Sequence, residues 1–281
     1  MMTSSVPFYV VIPAYNEGQI IAACRDALVA HRTWRALTVI VAANACTDDT
    51  VAVVHTRAGA FEARGWALHC LDLEQGGKTR ALNQAEALLP DPSVPRAYLD
   101  ADVICAPGLI EEVAQALATD QPRYATGTLQ VTPARSWVTR AYASVWTRLP
   151  FVQDGAVGAG FFAVNGAGRA RWDAFPDIIS DDTFVRLQFA PEERVETPGR
   201  YHWPMVEGLR ALIRVRRRQN AGVAELAARW PALMENEGKS GLGSTGFLRL
   251  LRDMPVSLAV YLTVHVAVRI GKPATDWSRG R

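Results

Sequence analysis

The stretch Tyr98-Leu-Asp-Ala-Asp102 ends an apolar run in two carboxylates at i and i+2, positions that project to one side of an extended chain. Two carboxylates a few ångströms apart repel. A hard divalent ion relieves the repulsion, because it takes one or two carboxylates and fills its other positions with phosphate oxygens and water. A solvated turn at a strand end is the plain alternative for any Asp-x-Asp. The preceding chain bears on the choice: it alternates strand-like apolar runs with helical stretches. Asp100 is therefore expected at the carboxyl end of a parallel strand, where open α/β sheets bind their ligands.

Outward from that pair, the pattern repeats. Phe8–Ile12 is a β-rich apolar run stopped by Pro13, and Glu17–Ala30 follows with helical spacing of Ile20, Ile21, Cys24 and Leu28. Leu37–Ala43 is a second buried strand, and Thr47 and Asp48 suit the start of a helix over Asp48–Arg64. Trp66–Leu73 is a third strand, broken by Gly76-Gly77 before a helix over Lys78–Leu89; Ala97–Leu99 is the fourth. Three β-α-β crossovers in residues 1–105 predict a parallel sheet covered on both faces. Beyond Pro107 the rhythm changes: helix Gly108–Ala118, strand Tyr124–Thr132, helix Arg135–Leu149, then a glycine-rich strand-like run Gly158–Asn165. Ser180-Asp-Asp182 precedes a short helix through Leu187, and Arg194–Thr197 is a strand. An arginine-rich helix over Leu209–Leu233 is expected to be interrupted near Gly222, and Glu235–Gly246 to be a loop.

The totals limit the functional classes. With 281 residues, 49% of them hydrophobic, the chain can build one large α/β domain or one domain plus an appendage. Thirty basic against 28 acidic residues leave a net charge of +2, too balanced for a nucleic-acid footprint. Cys24, Cys46, Cys70 and Cys105 lack metal or disulfide spacing, and read as reduced thiols of a cytosolic compartment. The first residues show no basic leader or signal-type apolar stretch, so a cytoplasmic location is expected. Met254–Ile270 is the most apolar stretch. Its alternation permits a strand, and its length falls at or below the roughly 20 residues that cross a bilayer. Helices lying on a membrane surface, with Arg249, Arg252, Arg269 and Lys272 facing headgroups, or a helix closing the core, are the two other readings.

Five motifs now stand in order: Pro13-Ala-Tyr-Asn-Glu17, Asn44-Ala-Cys-Thr-Asp-Asp-Thr50, Gly76-Gly-Lys-Thr-Arg-Ala-Leu-Asn83, Asp100-Ala-Asp102 and Ser180-Asp-Asp182. Each follows a strand or opens a helix. Together they resemble the family 2 glycosyltransferases of the GT-A fold, over roughly residues 6–220 and most strongly 6–105. The resemblance implies a Rossmann-like, mostly parallel α/β sheet with helices on both faces and a C-terminal helical appendage. It divides the chain into a catalytic domain over 1–234 (nucleotide-sugar half 1–105, acceptor half 106–234), a linker loop over 235–246 and an apolar, basic helical segment over 247–281. The implied activity is inverting transfer of a sugar from a nucleotide-diphosphate sugar to an acceptor hydroxyl. The acceptor is a carbohydrate or lipid-linked saccharide of cell-surface polysaccharide or glycolipid synthesis, with Mg²⁺ or Mn²⁺ as cofactor, possible membrane contact through the C-terminal segment, and no nucleic acid.

The resemblance also assigns residues. Pro13, Ala14, Tyr15 and Glu17 wrap the nucleoside, Tyr15 offering a ring to the base; Glu17 also suits a helix start by charge alone. Asn44 stands where relatives carry paired acids that read the base, and an amide can donate as well as accept. Lys78, after two glycines and at a helix start, faces the diphosphate or ribose, or is an exposed helical lysine. Asn83 is a packing residue. Asp100 lies nearer the ribose and Asp102 nearer the metal, which would offset charge on the departing nucleoside diphosphate. An attacking hydroxyl must lose its proton, and Asp182 is the candidate base, oriented together with the acceptor by Asp181; both also suit a helix N-terminus. Gly158–Phe162 is expected to line the acceptor cleft. Arg217 and Arg218 face phosphate or simply lie on a solvated helix face, and His202 and Trp203 gate the site or pack from a loop.

Two rivals are set by chemistry. A sugar nucleotidyltransferase would also hold metal and nucleotide on an α/β sheet, but needs a glycine-rich loop where Pro13–Gly18 supplies one glycine. A non-catalytic binding scaffold would show itself in Asn44 and Asp181.

Overall fold

Phe8, Tyr9, Val10, Val11 and Ile12 are all buried, which a strand achieves only when both faces of its sheet are covered. In the computed structural model, which describes residues 6–270, they form the inner part of β1 (Phe8–Ala14). The chain continues through α1 (Ile21–Val29), β2 (Leu37–Asn44), α2 (Thr50–His55), α3 (Ala58–Glu62), β3 (Ala67–Leu73), α4 (Lys78–Glu86), β4 (Arg96–Leu99), β5 (Ile104–Cys105), α5 (Leu109–Ala116) and β6 (Tyr124–Val131). There follow α6 (Trp137–Trp146), α7 (Pro150–Gln153), β7 (Phe161–Val164), α8 (Gly166–Arg169), α9 (Asp181–Arg186), β8 (Arg194–Trp203), α10 (Leu209–Arg229), α11 (Gly243–Asp253) and α12 (Pro255–Ile270).

The strands lie in one sheet ordered β3-β2-β1-β4-β7-β6-β8-β5. The first four run parallel, with Phe8 opposite Leu37, Thr38 opposite Ala67, and Tyr9 opposite Arg96. Beyond β4 the direction reverses, and β7 pairs antiparallel to both β4 and β6. From β1 the chain first builds outward to β2 and β3, then returns to place β4 on the other side of β1. That reversal is a switch point, which opens a crevice at the carboxyl ends of β1 and β4.

By its contacts the chain divides into two units. The first takes the described residues to Gln130, with Gly158–Asp177 and Glu192–Trp203, and holds the sheet. The second takes Val131–Val157, Ile178–Pro191 and the described residues from Pro204. In the second, Val145 of α6, Leu250 of α11 and Leu258 of α12 form a small apolar core with Leu242, Met254 and Tyr261 against it.

Pro13 does not stop β1, which pairs with β2 through Ala14 opposite Ala43. β4 pairs only with Tyr9–Val11, so at Pro13 the strand has one partner and a missing N–H is tolerated. The single helix expected over 48–64 is two. The Val53 and Val54 carbonyls, which a continuing helix would use, accept instead from the buried Arg25 guanidinium, which also donates to Thr56 Oγ1 at 2.9 Å. α10 passes through Gly222 unbroken; a Cβ there would come within 2.1 Å of Ser180 Oγ, so the glycine is a notch for packing. β8 runs on to Trp203, with His202 opposite Ile104, so His202 and Trp203 are strand residues rather than loop. Alternate burial of Thr197, Gly199 and Tyr201 carries it through Pro198-Gly199. Within Glu235–Gly246, a 3₁₀ turn ends at Asn236 and α11 begins at Gly243. The apolar C-terminal stretch is helical as far as Ile270; Lys272 lies outside the described residues.

Candidate active site

At the carboxyl end of β1 the chain turns through Tyr15 and Asn16, and Asn16 adopts φ +53°. An Asn accepts that left-handed conformation more readily than most residues. Its side chain explains why it is there. Asn16 Oδ1 accepts from the backbone N–H groups of Thr47 (2.6 Å) and Asp48 (3.2 Å), in the loop after β2. The return bonds come from Glu17 N–H to Thr50 Oγ1 (2.8 Å) and Gly18 N–H to Asp48 Oδ2 (3.1 Å). Asp48 Oδ1 also accepts from Thr50 N–H at 3.0 Å, so Asp48 both opens α2 and clasps the first loop to the second. Neither Asn16 nor Asp48 stood out in the sequence for this role; an Asn directly before Glu17 and the Asp-x-Thr spacing are the available signals.

Pro13 and Ala14 are the last residues of β1, with Ala14 buried. Asn44 is buried at the end of β2, and its amide is occupied on both sides. It donates to Ala14 O at 2.7 Å and accepts from Gly77 N–H at 3.1 Å. One side chain thus ties together the three loops that follow β1, β2 and β3. Gly77 has φ +132°, a conformation that glycine alone adopts without strain, and α4 opens directly after it with Lys78.

Lys78 Nζ lies 3.0 Å from Asp100 Oδ1. β4 ends at Leu99, so Asp100 does stand at the carboxyl end of a parallel strand. Asp100–Val103 is nevertheless a reverse turn closed by Val103 N–H to Asp100 O (3.1 Å), not an extended segment, and the side-by-side projection expected of Asp100 and Asp102 does not apply. The turn is seated by Gly160, whose carbonyl accepts from Asp100 N–H at 2.8 Å and whose φ is +75°. A Cβ on Gly160 would stand 2.8 Å from both Val103 Cγ2 and Trp203 Cδ1. Beneath lies Cys24, its Sγ 3.9 Å from Asp100 O. Burial pushes its thiol well above the ordinary range, and Cys105, Asp102 and Asp100 add to the shift.

Asn83 has the packing role expected of it: its amide donates to Phe175 O (2.9 Å) and accepts from Phe175 N–H (2.7 Å). One turn further along α4, the buried Glu86 accepts from Arg169 Nε (2.8 Å), Tyr98 OH (2.5 Å) and Arg96 Nη1 (3.3 Å). Burial alone would raise the Glu86 carboxyl; Arg169, then Tyr98 and Arg96, hold it below the usual carboxylate range. This network anchors the helix that carries Lys78.

Phe161 and Phe162 do not line a cleft. Both are buried in the sheet, Phe162 stacking between Tyr98 (5.0 Å) and Tyr124 (5.8 Å), because alternate residues of an inner strand face covered surfaces on both sides.

In the second unit, Asp181 and Asp182 open α9 directly after Ser180. Asp181 is buried; Asp182 is half-buried and accepts from Thr183 N–H at 2.6 Å. The segment is held from several sides: Ile179 N–H donates to Glu225 Oε2 (3.1 Å), Ser180 abuts Gly222, and Arg186 pairs with Glu237 at 2.9 Å. Arg217 Nη2 donates to Ala267 O at 2.7 Å, a bond between α10 and α12.

Among the described residues, no group of three His, Cys, Asp or Glu side chains could enclose a metal ion. Asp100 and Asp102 stand two residues apart in the turn after β4, with Asp100 paired to Lys78.

A sequence profile described as Glycosyl transferase family 2 matches residues 9–166. No curated protein matches the sequence at a significant level. Among solved structures, the fold is similar to the mannosyltransferase PcManGT from Pyrobaculum calidifontis in complex with GDP-Man and Mn²⁺, at 17% identity over 96% of this chain and 77% of that one, with a TM-score of 0.58. It is similar to S. aureus TarS 1-349 in complex with UDP at 12% identity, over 88% of this chain and 72% of that one, with a TM-score of 0.53. Against another S. aureus TarS structure the match covers 71% of this chain and only 37% of that one, at 14% identity and a TM-score of 0.51. The fold is that of the GT-A glycosyltransferases, as expected from the ordered motifs.

Proposed function

The chain belongs to glycosyl transferase family 2, and on that premise we propose that it transfers a sugar from a nucleoside-diphosphate sugar to an acceptor hydroxyl with inversion at the anomeric carbon. The observation that carries the reading is the meeting of Lys78 and Asp100, 3.0 Å apart, at the carboxyl end of β4 beside the β1–β4 switch point. A cation and a carboxylate opening on such a crevice suit a ligand that carries both diphosphate oxygens and ribose hydroxyls. Similar folds whose structures hold UDP or GDP-Man support that class of donor.

The loop Pro13–Glu17 borders the nucleoside, and Tyr15 offers its ring to the base. Asn44 acts here by fixing the loops around the nucleoside through Ala14 O and Gly77 N–H. Lys78 turns from Asp100 to the diphosphate once that ligand arrives. Asp102, with Asp100, would hold Mg²⁺ or Mn²⁺, which supplies positive charge against the leaving nucleoside diphosphate. In the transfer, the Asp182 carboxylate takes the acceptor's hydroxyl proton, the acceptor oxygen bonds to the anomeric carbon, and the bond from that carbon to the diphosphate oxygen breaks. Asp181, buried beside it, positions Asp182. The acceptor class is a carbohydrate or lipid-linked saccharide.

The test is a panel of nucleoside-diphosphate sugars read by thermal shift with and without Mn²⁺, followed by product analysis. A donor that raises the melting temperature by mass action and is slowly hydrolysed to nucleoside diphosphate supports the transferase. Release of pyrophosphate would replace it with nucleotidyl transfer, and binding without turnover, even with acceptors supplied, with a scaffold.

A further inference from the structure

α11 and α12 are joined directly at Met254-Pro255 and turn one side each to the apolar core of their unit: Leu250, Leu258 and Val264 are buried, and Tyr261 stacks on Tyr142 of α6 at 5.2 Å. The other side of each helix is also apolar and is exposed. On α12, Val256 (67% exposed), Leu262, Val266 and Ile270 (81%) recur at helical intervals, a stripe opposite the packed face. On α11, Phe247, Leu248 (62%) and Leu251 are exposed together. A helix with apolar residues on both sides, one covered and one not, expects a second apolar phase.

The charges say which phase. Arg249, Arg252 and Arg269 are all exposed, and the Arg252 side chain is 77% exposed. The one acid of the two helices, Asp253, is paired with Arg252 at 2.7 Å. Guanidinium groups flanking an exposed apolar stripe match anionic phosphate above acyl chains. A second copy of the same surface would instead set arginines against arginines. No helix of the described residues is long and apolar enough to cross a membrane, so the stripe suits a helix pair lying in the interface plane.

We propose that α11 and α12 dock this protein onto an anionic lipid surface, Leu248, Leu251, Val256, Leu262 and Val266 entering the acyl boundary and Arg249, Arg252 and Arg269 meeting headgroup phosphates. This docking does not rest on the transfer chemistry, and its test uses no donor, so either can fail alone.

The experiment is co-sedimentation of the full chain with vesicles of phosphatidylcholine alone and of phosphatidylcholine mixed with phosphatidylglycerol. Binding is expected to the mixed vesicles and to fall with added salt. L248E/L251E and R249E/R252E, all at exposed positions, should keep the parent melting temperature. R249E/R252E should weaken binding by about tenfold or more, given roughly 1 kcal/mol for each arginine near an anionic surface, and L248E/L251E should weaken it by removing apolar area from the acyl boundary. V266E, at an exposed position of α12, gives a third variant outside α11. Equal binding to neutral vesicles, no binding to either, or unchanged binding by all three variants overturns the proposal. So does a dimer that L248E/L251E dissociates, or vesicle binding that is abolished only by removing residues 271–281.

Discussion

Asp182 is the residue on which the proposed reaction depends most directly. Asp182→Asn keeps the shape and the acceptor oxygen for Thr183 N–H but removes the proton acceptor. Transfer should fall by about 10²-fold or more while donor affinity holds; calorimetry of donor binding beside a turnover assay separates the two, and undiminished turnover would remove Asp182 from the mechanism. Asn44 makes a different prediction. Asn44→Ala leaves the Ala14 carbonyl and the Gly77 N–H without their buried partner, which should cost about 1–3 kcal/mol in urea unfolding and weaken donor binding along with it. The places of the five motifs were legible in the sequence because each follows a strand or opens a helix. What Asn16, Asn44 and Asp48 hold was not, since each bonds to a loop some thirty positions away, at separations of 30 to 33 residues.

At the level of elements, the Asp100–Val103 turn is seated by a glycine in another strand's approach. Gly160→Ala adds a Cβ 2.8 Å from Val103 and Trp203 at a φ of +75°. Backbone strain of this kind costs about 1–3 kcal/mol, and the variant should lose donor affinity by displacing Asp100, with a melting curve and a donor titration as the two readouts. Wild-type donor affinity in a destabilised Gly160→Ala would show that the turn does not position the ligand. Strands β1, β2 and β4 were readable because a buried strand needs an unbroken apolar run, and the edge strand β3, only half-buried, because apolar residues still dominate it. The helix break after α2 was not, because its cause, Arg25, comes from α1. Gly222 pointed the other way: local propensity argues for interruption, while the close approach of Ser180 decides otherwise; β8 runs past its expected end at Thr197 because the alternate burial continues through Pro198-Gly199.

For the molecule as a whole, stability should depend on acidity in two steps. Burial lowers His31 from its ordinary value to about 4; the Pro107 carbonyl opposes the shift without cancelling it, and Arg64 adds to the lowering. The unfolded chain therefore takes up this proton near pH 6.5 and the native protein only near 4, so the stability due to neutral His31 is complete above pH 6.5 and lost on descending to about 4. The loss amounts to about 3 kcal/mol. Glu86, held below its usual range, adds a second loss on descending below the ordinary carboxylate pKa. Urea midpoints measured across this range should show both limbs, and His31→Gln should flatten the upper one. The Lys78–Asp100 pair has a bearing on how the protein meets its surroundings. A chain whose own ammonium already neutralises the acid at the strand end gives dissolved magnesium little reason to settle there, so metal salts without nucleotide should leave the melting point where it was, and the ion should enter as luggage of the sugar carrier.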